Sequence, residues 1–300
     1  MSSDGIKLSI IIVSYNCKQY LLDCMRSIDQ ARLPFPHEII VVDNASSDGG
    51  VEEAEREFPA TVVIRNRENT GFSQANNQGI RRARGELVLL LNNDTRVRPG
   101  TIEAMVRHLD DDPTLGAAGC ALEEADGRLQ VSYGNMIGFG NEFYQKYFSR
   151  LAMIVRQRTV GLKVMYPHWV SGAFLLSRQD LLLDVGLLDE AFFMYTEEVD
   201  LCERIRGKGL RIIYDPSWRI VHFGGKSTEK NRAKAGLEYR RSQLYFYSKH
   251  HGRVSSRLLK AYLLIRTGLD LALARLYSDH ELVEMRRRIY HAVKDYEIGG

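Results

Sequence analysis

Cysteine is scarce. The 300 residues contain four, Cys17, Cys24, Cys120 and Cys202, and none sits at the short spacing of a zinc site, a haem attachment or a disulfide framework. A reducing cytoplasm is the expected setting. Long apolar runs are missing as well. Nothing approaches the roughly 18 to 20 residues that a spanning helix needs. The polar start Met1 to Lys7 leads only into the short run Leu8 to Val13, so neither a cleaved signal peptide nor a transmembrane anchor is expected. Glycine-rich nucleotide loops are also lacking. Gly225-Lys226-Ser227 ends like a phosphate loop, but the leading glycine position holds Ile220, while Gly134, Gly138 and Gly140 are wrongly spaced for a dinucleotide fingerprint. Dinucleotide redox chemistry is disfavoured, and no internal repeat or low-complexity segment is evident.

What is present is an ordinary globular composition, 44% hydrophobic and 26% charged, enough for one large domain or two small ones. Leu8-Val13, Glu38-Val42, Thr61-Arg65 and Glu86-Leu91 read as buried strands, short and bounded by Gly, Pro or Asn/Asp clusters. Between them, Lys18 to Ala31, Gly50 to Phe58, Ser73 to Arg84 and Pro99 to Leu109 carry helical patterns. Continuous apolar strands alternating with helices predict a mostly parallel α/β sheet covered on both faces. The alternation stops after residue 122. Ala125-Asp126-Gly127 resembles a hairpin turn, and 132–168 has no clear period and reads as an ordered functional loop or lid. Trp169 to Leu176 is a strand by composition, a helix follows from Arg178, Glu197 to Lys208 is a helix closed by Gly209, and Arg211 to Tyr214 is another strand.

The small net charge of +3 hides a segregation. From Arg232 to Lys294 fourteen basic residues face five acidic ones, whereas residues 1–231 hold 27 basic and 31 acidic. The region from Ala235 to about Tyr296 is helical throughout, and its leucines are interrupted by Arg266, Asp270 and Arg275, which suits a helix lying on an interface. Such a basic tail fits an anionic partner such as a membrane surface or a polyphosphate, with a plain solvated helix face as the alternative, and its helices could also contact another copy of the chain.

In an α/β sheet, ligands bind beyond the carboxyl ends of the strands. Here those ends carry Ser14-Tyr15-Asn16, Asp43-Asn44, Asn66 to Asn69, and Asn92-Asn93-Asp94. Each alone is a common cap or turn, but four in register build a polar pocket. The last ends the buried run Leu87 to Leu91 on a carboxylate able to hold a hard divalent cation, with waters and ligand phosphates as its other partners. Glu197-Glu198-Val199-Asp200 sets three carboxylates at a helix start, where the dipole favours ionisation. One of them facing a cleft would be a candidate general base, while Asp200 and Arg204 fit an intrahelical pair. His222, after an apolar run, suits metal or phosphate contact.

Taken in order, Ile11 to Asn16, Val41 to Gly49, Asn69-Thr70-Gly71-Phe72 with Asn76-Asn77, Leu91 to Asp94, Ser171-Gly172-Ala173, Glu197 to Cys202 and His222 to Ser227 resemble glycosyltransferase family 2 over roughly residues 8–250, nearest a bacterial rhamnosyltransferase-like branch. The resemblance implies a GT-A fold, with a catalytic domain over 1–231 (a nucleotide-binding half about 8–122 and an acceptor half about 123–231) and a basic helical extension over 232–300. It implies inverting transfer of a sugar, rhamnose from dTDP-rhamnose, to a cell-surface polysaccharide or lipid-linked glycan. By position, Ser14, Tyr15, Asn16, Asp43 and Asn69 would hold the nucleoside, Asn92 and Asn93 the diphosphate side, and Gly172 and Ala173 the donor sugar. Asp94 and His222 would bind the Mg2+ or Mn2+ ion, and Glu197-Glu198 would supply the base, Glu198 being the nearer match. Asn92 stands where the family carries an aspartate, and Glu198 is one methylene longer than the family residue. The resemblance gives no nucleic-acid partner and places the protein in the cytoplasm, peripheral at the inner membrane face. A nucleotide-sugar-binding scaffold subunit without catalysis is the alternative that Asn92 keeps open. A glycosidase would need two flanking carboxyls and no cation.

Overall fold

A computed structural model describes residues 5–138, 163–224, 232–276 and 280–298. Residues 139–162 of the expected loop, and Gly225-Lys226-Ser227, lie outside them.

The amino-terminal half alternates as its apolar pattern predicts: β1 (Leu8–Ser14), α1 (Lys18–Ala31), β2 (His37–Asp43), α2 (Gly50–Glu57), β3 (Val62–Arg65), α3 (Phe72–Arg82) and β4 (Leu87–Asn92). Then follow β5 (Thr95–Arg96), α4 (Thr101–Asp111), β6 (Leu115–Glu123), β7 (Tyr133–Gly134), β8 (Trp169–Val170), β9 (Phe174–Arg178), α5 (Gln179–Asp184), α6 (Glu197–Gly207) and β10 (Arg211–His222). The carboxyl-terminal helices are α7 (Arg232–His250), α8 (Gly252–Leu276) and α9 (His280–Asp295). The main sheet has the order β3-β2-β1-β4-β9-β6-β10-β5. Its pairs are parallel except those of β9 with β4 and β6 and that of β10 with β5; β7 and β8 form a separate ribbon.

Burial follows the pleat. Ile10, Ile12, Leu89 and Leu91 pack toward α1 and α4, while Ile11, Val88 and Leu90 pack toward α3 and α5. Both faces of each strand are therefore covered, which is why these strands are apolar at every position rather than at alternate ones. Each fully buried Leu or Ile contributes about 1.5–3 kcal/mol. A third cluster joins Phe192 and Val199 to Leu244, Phe246 and Tyr247 of α7, Leu259 and Leu263 of α8, and Val293 of α9.

Two strand expectations change. Trp169 to Leu176 is not one strand: the chain turns at Ser171-Gly172-Ala173, where the Phe174 N–H donates to the Ser171 carbonyl at 3.1 Å, and only Phe174 onward enters the main sheet. The strand expected over Arg211 to Tyr214 continues to His222 through an irregularity between Asp215 and Arg219. That extension lets the end of β10 pair antiparallel with β5, His222 opposite Thr95.

Candidate active site

The register of the parallel strands brings their polar ends to one edge. Ser14 lies opposite Asp43, and Val13 opposite Asn92. Beyond that edge is a cavity of about 330 Å3, lined by Tyr15, Asn44, Asn69, Asn92, Asn93, Asp94, Gly172, Ala173, Glu197, Glu198 and His222, with Lys234 and Ala235 from the start of α7. Ten of the residues expected from the sequence thus line one cavity.

Ser14, Asn16 and Asp43 are not on it. Ser14 is buried and receives a long contact from the Asn93 amide, at 3.5 Å. Asp43 Oδ1 accepts from the Ser46 N–H at 2.9 Å, and Asn16 Oδ1 accepts from the Ser47 N–H at 2.8 Å, so both carboxamide and carboxylate shape the loop after β2. Asn44, next to Asp43, does reach the cavity. It is held there by its donation to the Gly71 carbonyl at 2.9 Å and by the Asn66 amide, which donates to its Oδ1 at 2.9 Å.

At the other end, β5 against β10 carries Asp94 and His222 together across the fold. The Phe223 N–H donates to the Asp94 carbonyl at 2.9 Å, and Asp94 Oδ1 stands 3.3 Å from His222 Nε2. Asn92 Nδ2 is 3.3 Å from the same nitrogen. Gln130 then fixes the ring: its Nε2 donates to the His222 carbonyl at 2.8 Å, which obliges its Oε1, 2.7 Å from His222 Nδ1, to act as acceptor. A proton therefore sits on Nδ1, and Nε2 is the nitrogen that faces Asp94. Among the described residues no group of three or more His, Cys, Asp or Glu could hold a metal ion. A buried carboxylate and one imidazole lone pair nevertheless match a hard cation that takes its remaining ligands from water and phosphate. All four cysteines are buried, and burial pushes the Cys24 and Cys202 thiols up to about 12, which makes them unreactive packing groups.

The carboxylate pair enters from α6. Its start is strained: Tyr195 (φ 73°) and Thr196 (φ 66°) are consecutive left-handed residues with side chains, each costing roughly 1–3 kcal/mol. The surroundings over-determine this turn. The Ser242 hydroxyl of α7 donates to the Met194 carbonyl at 2.7 Å, the Phe72 N–H donates to the Phe193 carbonyl at 2.6 Å, and Tyr195 packs edge-on against Tyr239 at 5.7 Å. One turn further, buried Asp200 accepts from Arg204 at 2.9 Å, the pairing expected from the sequence, and also from His250 and Lys249, both at 2.7 Å.

Glu197 is buried and Glu198 is half-buried on the cavity wall. One oxygen of the Glu198 carboxylate is itself buried although the residue as a whole is half-buried, so the group is largely desolvated. Burial raises both. Glu198 rises to about 6, with the N–H groups of the first helical turn holding it back. Glu197 lies well above the usual carboxylate range, through burial first and the adjacent Glu198 charge second. Two adjacent buried carboxylates resist carrying two charges at once, so burial and proximity both favour protonation within the pair. One buried oxygen of each has no hydrogen-bond partner among the described residues. Gly172 sits opposite: a Cβ there would lie 3.5 Å from both the Glu198 Cβ and the Phe72 ring. Its backbone does not demand glycine, so the missing side chain is space kept on the cavity wall.

The cavity at the strand ends thus holds an acid-amide set, one histidine and a desolvated carboxylate. The model of "Glycosyl transferase family 2" matches residues 9–174. The chain belongs to glycosyltransferase family 2. Over 292 residues this glycosyltransferase is 25% identical to an N-acetylglucosaminyl-diphospho-decaprenol L-rhamnosyltransferase of Mycobacterium tuberculosis, spanning 87% of this chain and 94% of that one. It is 26% identical over 219 residues to a poly-beta-1,6-N-acetyl-D-glucosamine synthase of Staphylococcus aureus, covering 71% of this chain but 50% of that protein. Among solved structures, a mannosyltransferase from Pyrobaculum calidifontis in complex with GDP-Man and Mn2+ superposes with a TM-score of 0.54 at 19% identity, over 98% of this chain and 87% of that one. GalNAc-T7 with UDP, GalNAc and Mn2+ gives 0.56 at 17% identity, over 73% of this chain and 44% of that one. The fold is that of the GT-A glycosyltransferases. No described helix is long and apolar enough to cross a membrane.

Gln130, Lys234 and the two positive φ angles of the Tyr195-Thr196 turn escaped the sequence reading, and Asn44 was given no role in it. Only Asn44 had a local signal, its place at a strand end.

Proposed function

We propose that this glycosyltransferase moves a sugar with inversion from a nucleoside diphosphate to an acceptor hydroxyl, the donor being dTDP-rhamnose and the acceptor a lipid-linked or cell-surface glycan met at the inner face of a bacterial membrane. The observation that carries the reading is that Glu198 and the Asp94–His222 pair line one cavity. The sugar and the acceptor rest on the likeness to the mycobacterial L-rhamnosyltransferase.

In this reading Tyr15, Asn44 and Asn69 take the nucleoside end of the cavity, with Ser14, Asn16 and Asp43 shaping the loop behind them. Asn92 and Asn93 face the diphosphate, and Gly172-Ala173 leave room for the sugar. Asp94 and His222 Nε2 would hold a Mg2+ or Mn2+ ion, which neutralises charge on the leaving diphosphate. Glu198 accepts the acceptor proton as the hydroxyl oxygen attacks the anomeric carbon on the side away from the diphosphate. Burial of Glu197 beside Glu198 disfavours a second negative charge against the incoming oxygen.

The test is release of nucleoside diphosphate from dTDP-rhamnose and UDP-hexoses, with and without each cation, alongside the anomeric configuration of the product. Turnover of dTDP-rhamnose with inverted product supports the reading. Retained configuration overturns it, and donor binding without turnover in any mixture assigns the chain to the scaffold role.

A further inference from the structure

Helix α8 is apolar on two faces. Its inner face, Leu259, Leu263 and Leu271, is buried where α7 and α9 pack. Its outer face carries Val254, Leu258, Ile265, Leu269, Leu273 and Leu276, each between 55% and 77% exposed. These are six of the twelve large hydrophobic side chains exposed on the described residues. At 3.6 residues per turn they fall within an arc of about 100°, and from Val254 to Leu276 the stripe runs roughly 33 Å. Scattered exposed leucines are ordinary, whereas a contiguous stripe of this length marks an interaction surface.

Charge says what covers it. By the same helical spacing, Arg257 and Arg275 lie along one margin of the stripe and Arg266 along the other, with Arg253 outside it at the start of the helix. None of the four makes an ion pair among the described residues. The single acidic residue of α8, Asp270, is turned to the other side and pairs with Arg286 of α9 at 3.6 Å, and Lys260 is drawn away to the Tyr296 carbonyl at 2.8 Å. The apolar strip is therefore rimmed by uncompensated positive charge. A second copy of the chain docked on this face about a two-fold axis would bring arginine rows against arginine rows, which repel. An anionic lipid surface accepts both features at once, acyl chains against the leucines and headgroup phosphates against the guanidinium groups. The helix cannot span a bilayer, so it would lie in the plane.

We propose that α8 is a membrane-docking helix, seated flat on an anionic lipid surface through Leu258, Ile265, Leu269 and Leu273, with Arg257, Arg266 and Arg275 on the headgroups. This is independent of which sugar is transferred. The test is co-flotation of the full chain with phosphatidylglycerol-containing vesicles and with pure phosphatidylcholine vesicles, at low and high salt. Binding should be roughly tenfold weaker or more on neutral vesicles or in high salt. The double variant Ile265→Glu/Leu269→Glu should lose at least about tenfold in vesicle affinity with unchanged thermal unfolding, because both side chains point to solvent. Arg257→Gln/Arg275→Gln should lose about fivefold per charge removed. Turnover of soluble donor stays unchanged in these variants, so loss of docking is distinguishable from loss of the catalytic reading. Equal flotation of the wild type and the Ile265/Leu269 variant overturns the proposal. So does a concentration-dependent dimer, seen by light scattering, that this variant dissolves while vesicles bind neither protein.

Discussion

Gln130 and His222 are joined by two hydrogen bonds, side chain to ring at 2.7 Å and side chain to carbonyl at 2.8 Å, and together these decide which imidazole nitrogen is free. Outer partners of this kind set ligand orientation and typically change metal affinity by about 10- to 100-fold when removed. Gln130→Leu is expected to weaken Mn2+ binding in the presence of nucleoside diphosphate by about that factor, read by titration calorimetry or by Mn2+ paramagnetic resonance. Thermal unfolding should move little, since the residue is a surface partner of one strand end.

Glu198→Gln removes the proton acceptor while keeping shape. Turnover should fall by about 10^2- to 10^4-fold with donor affinity retained. In the wild type, kcat/KM should be lost as pH drops through about 6, where Glu198 takes up a proton, and be level above it. Glu197→Gln should keep most of the turnover, because Glu198 and not Glu197 is the proposed proton acceptor. If Glu197→Gln and Glu198→Gln are equally inactive, the division of roles between them is wrong.

Asp200 ties α6 to α7. Burial alone would raise its carboxyl, but the hydrogen bonds from His250 and Lys249 and the Arg204 charge outweigh it and bring it down to about 2. A carboxylate depressed in the folded state stabilises above its ordinary value of 3.8, and that stability is lost as pH falls from there toward about 2. Denaturant midpoints measured between neutral and strongly acid pH should fall in that window and fall less steeply there in Asp200→Asn, where Asp23, Glu38, Asp189 and Asp215 remain as depressed carboxylates. At neutral pH the variant should cost about 3–5 kcal/mol, the usual consequence of stranding the partners of a buried charge.

Gly172→Ala places a methyl beside Glu198 and Phe72 at ordinary contact distance, so folding should be undisturbed. The methyl occupies cavity space instead, and overfilling a site by one carbon costs about 1–3 kcal/mol. The expected readout is a fall of roughly 10- to 100-fold in kcat/KM for the donor, with an unchanged melting temperature.

Much of this molecule was legible before its coordinates. β1 to β4 and the helices between them follow from apolar runs that only a sheet buried on both faces requires, and the polar residues closing those runs mark the ligand edge. Local pattern also placed Glu197-Glu198 at a helix start. β6 was not visible: Leu115-Gly116-Ala117-Ala118-Gly119 lacks the large side chains of a strand, because a Cβ on Gly119 would come within 2.7 Å of Val170. Nor was the antiparallel insertion of β9 between β4 and β6, since periodicity reports burial and not strand direction.

The residue chemistry needed for the site, its carboxylates, amides and histidine, was set by the sequence alone, as was the family to which the chain belongs. Tertiary structure decided the rest. Pairing of β5 with β10 carries His222 to Asp94 across more than a hundred residues, Gln130 chooses the nitrogen, and α7 holds a left-handed turn that aims Glu198 into the cavity. It also left one side of α8 bare. These are contacts between segments remote in the chain, and their free energies depend on the packing of the whole fold rather than on any local run of residues.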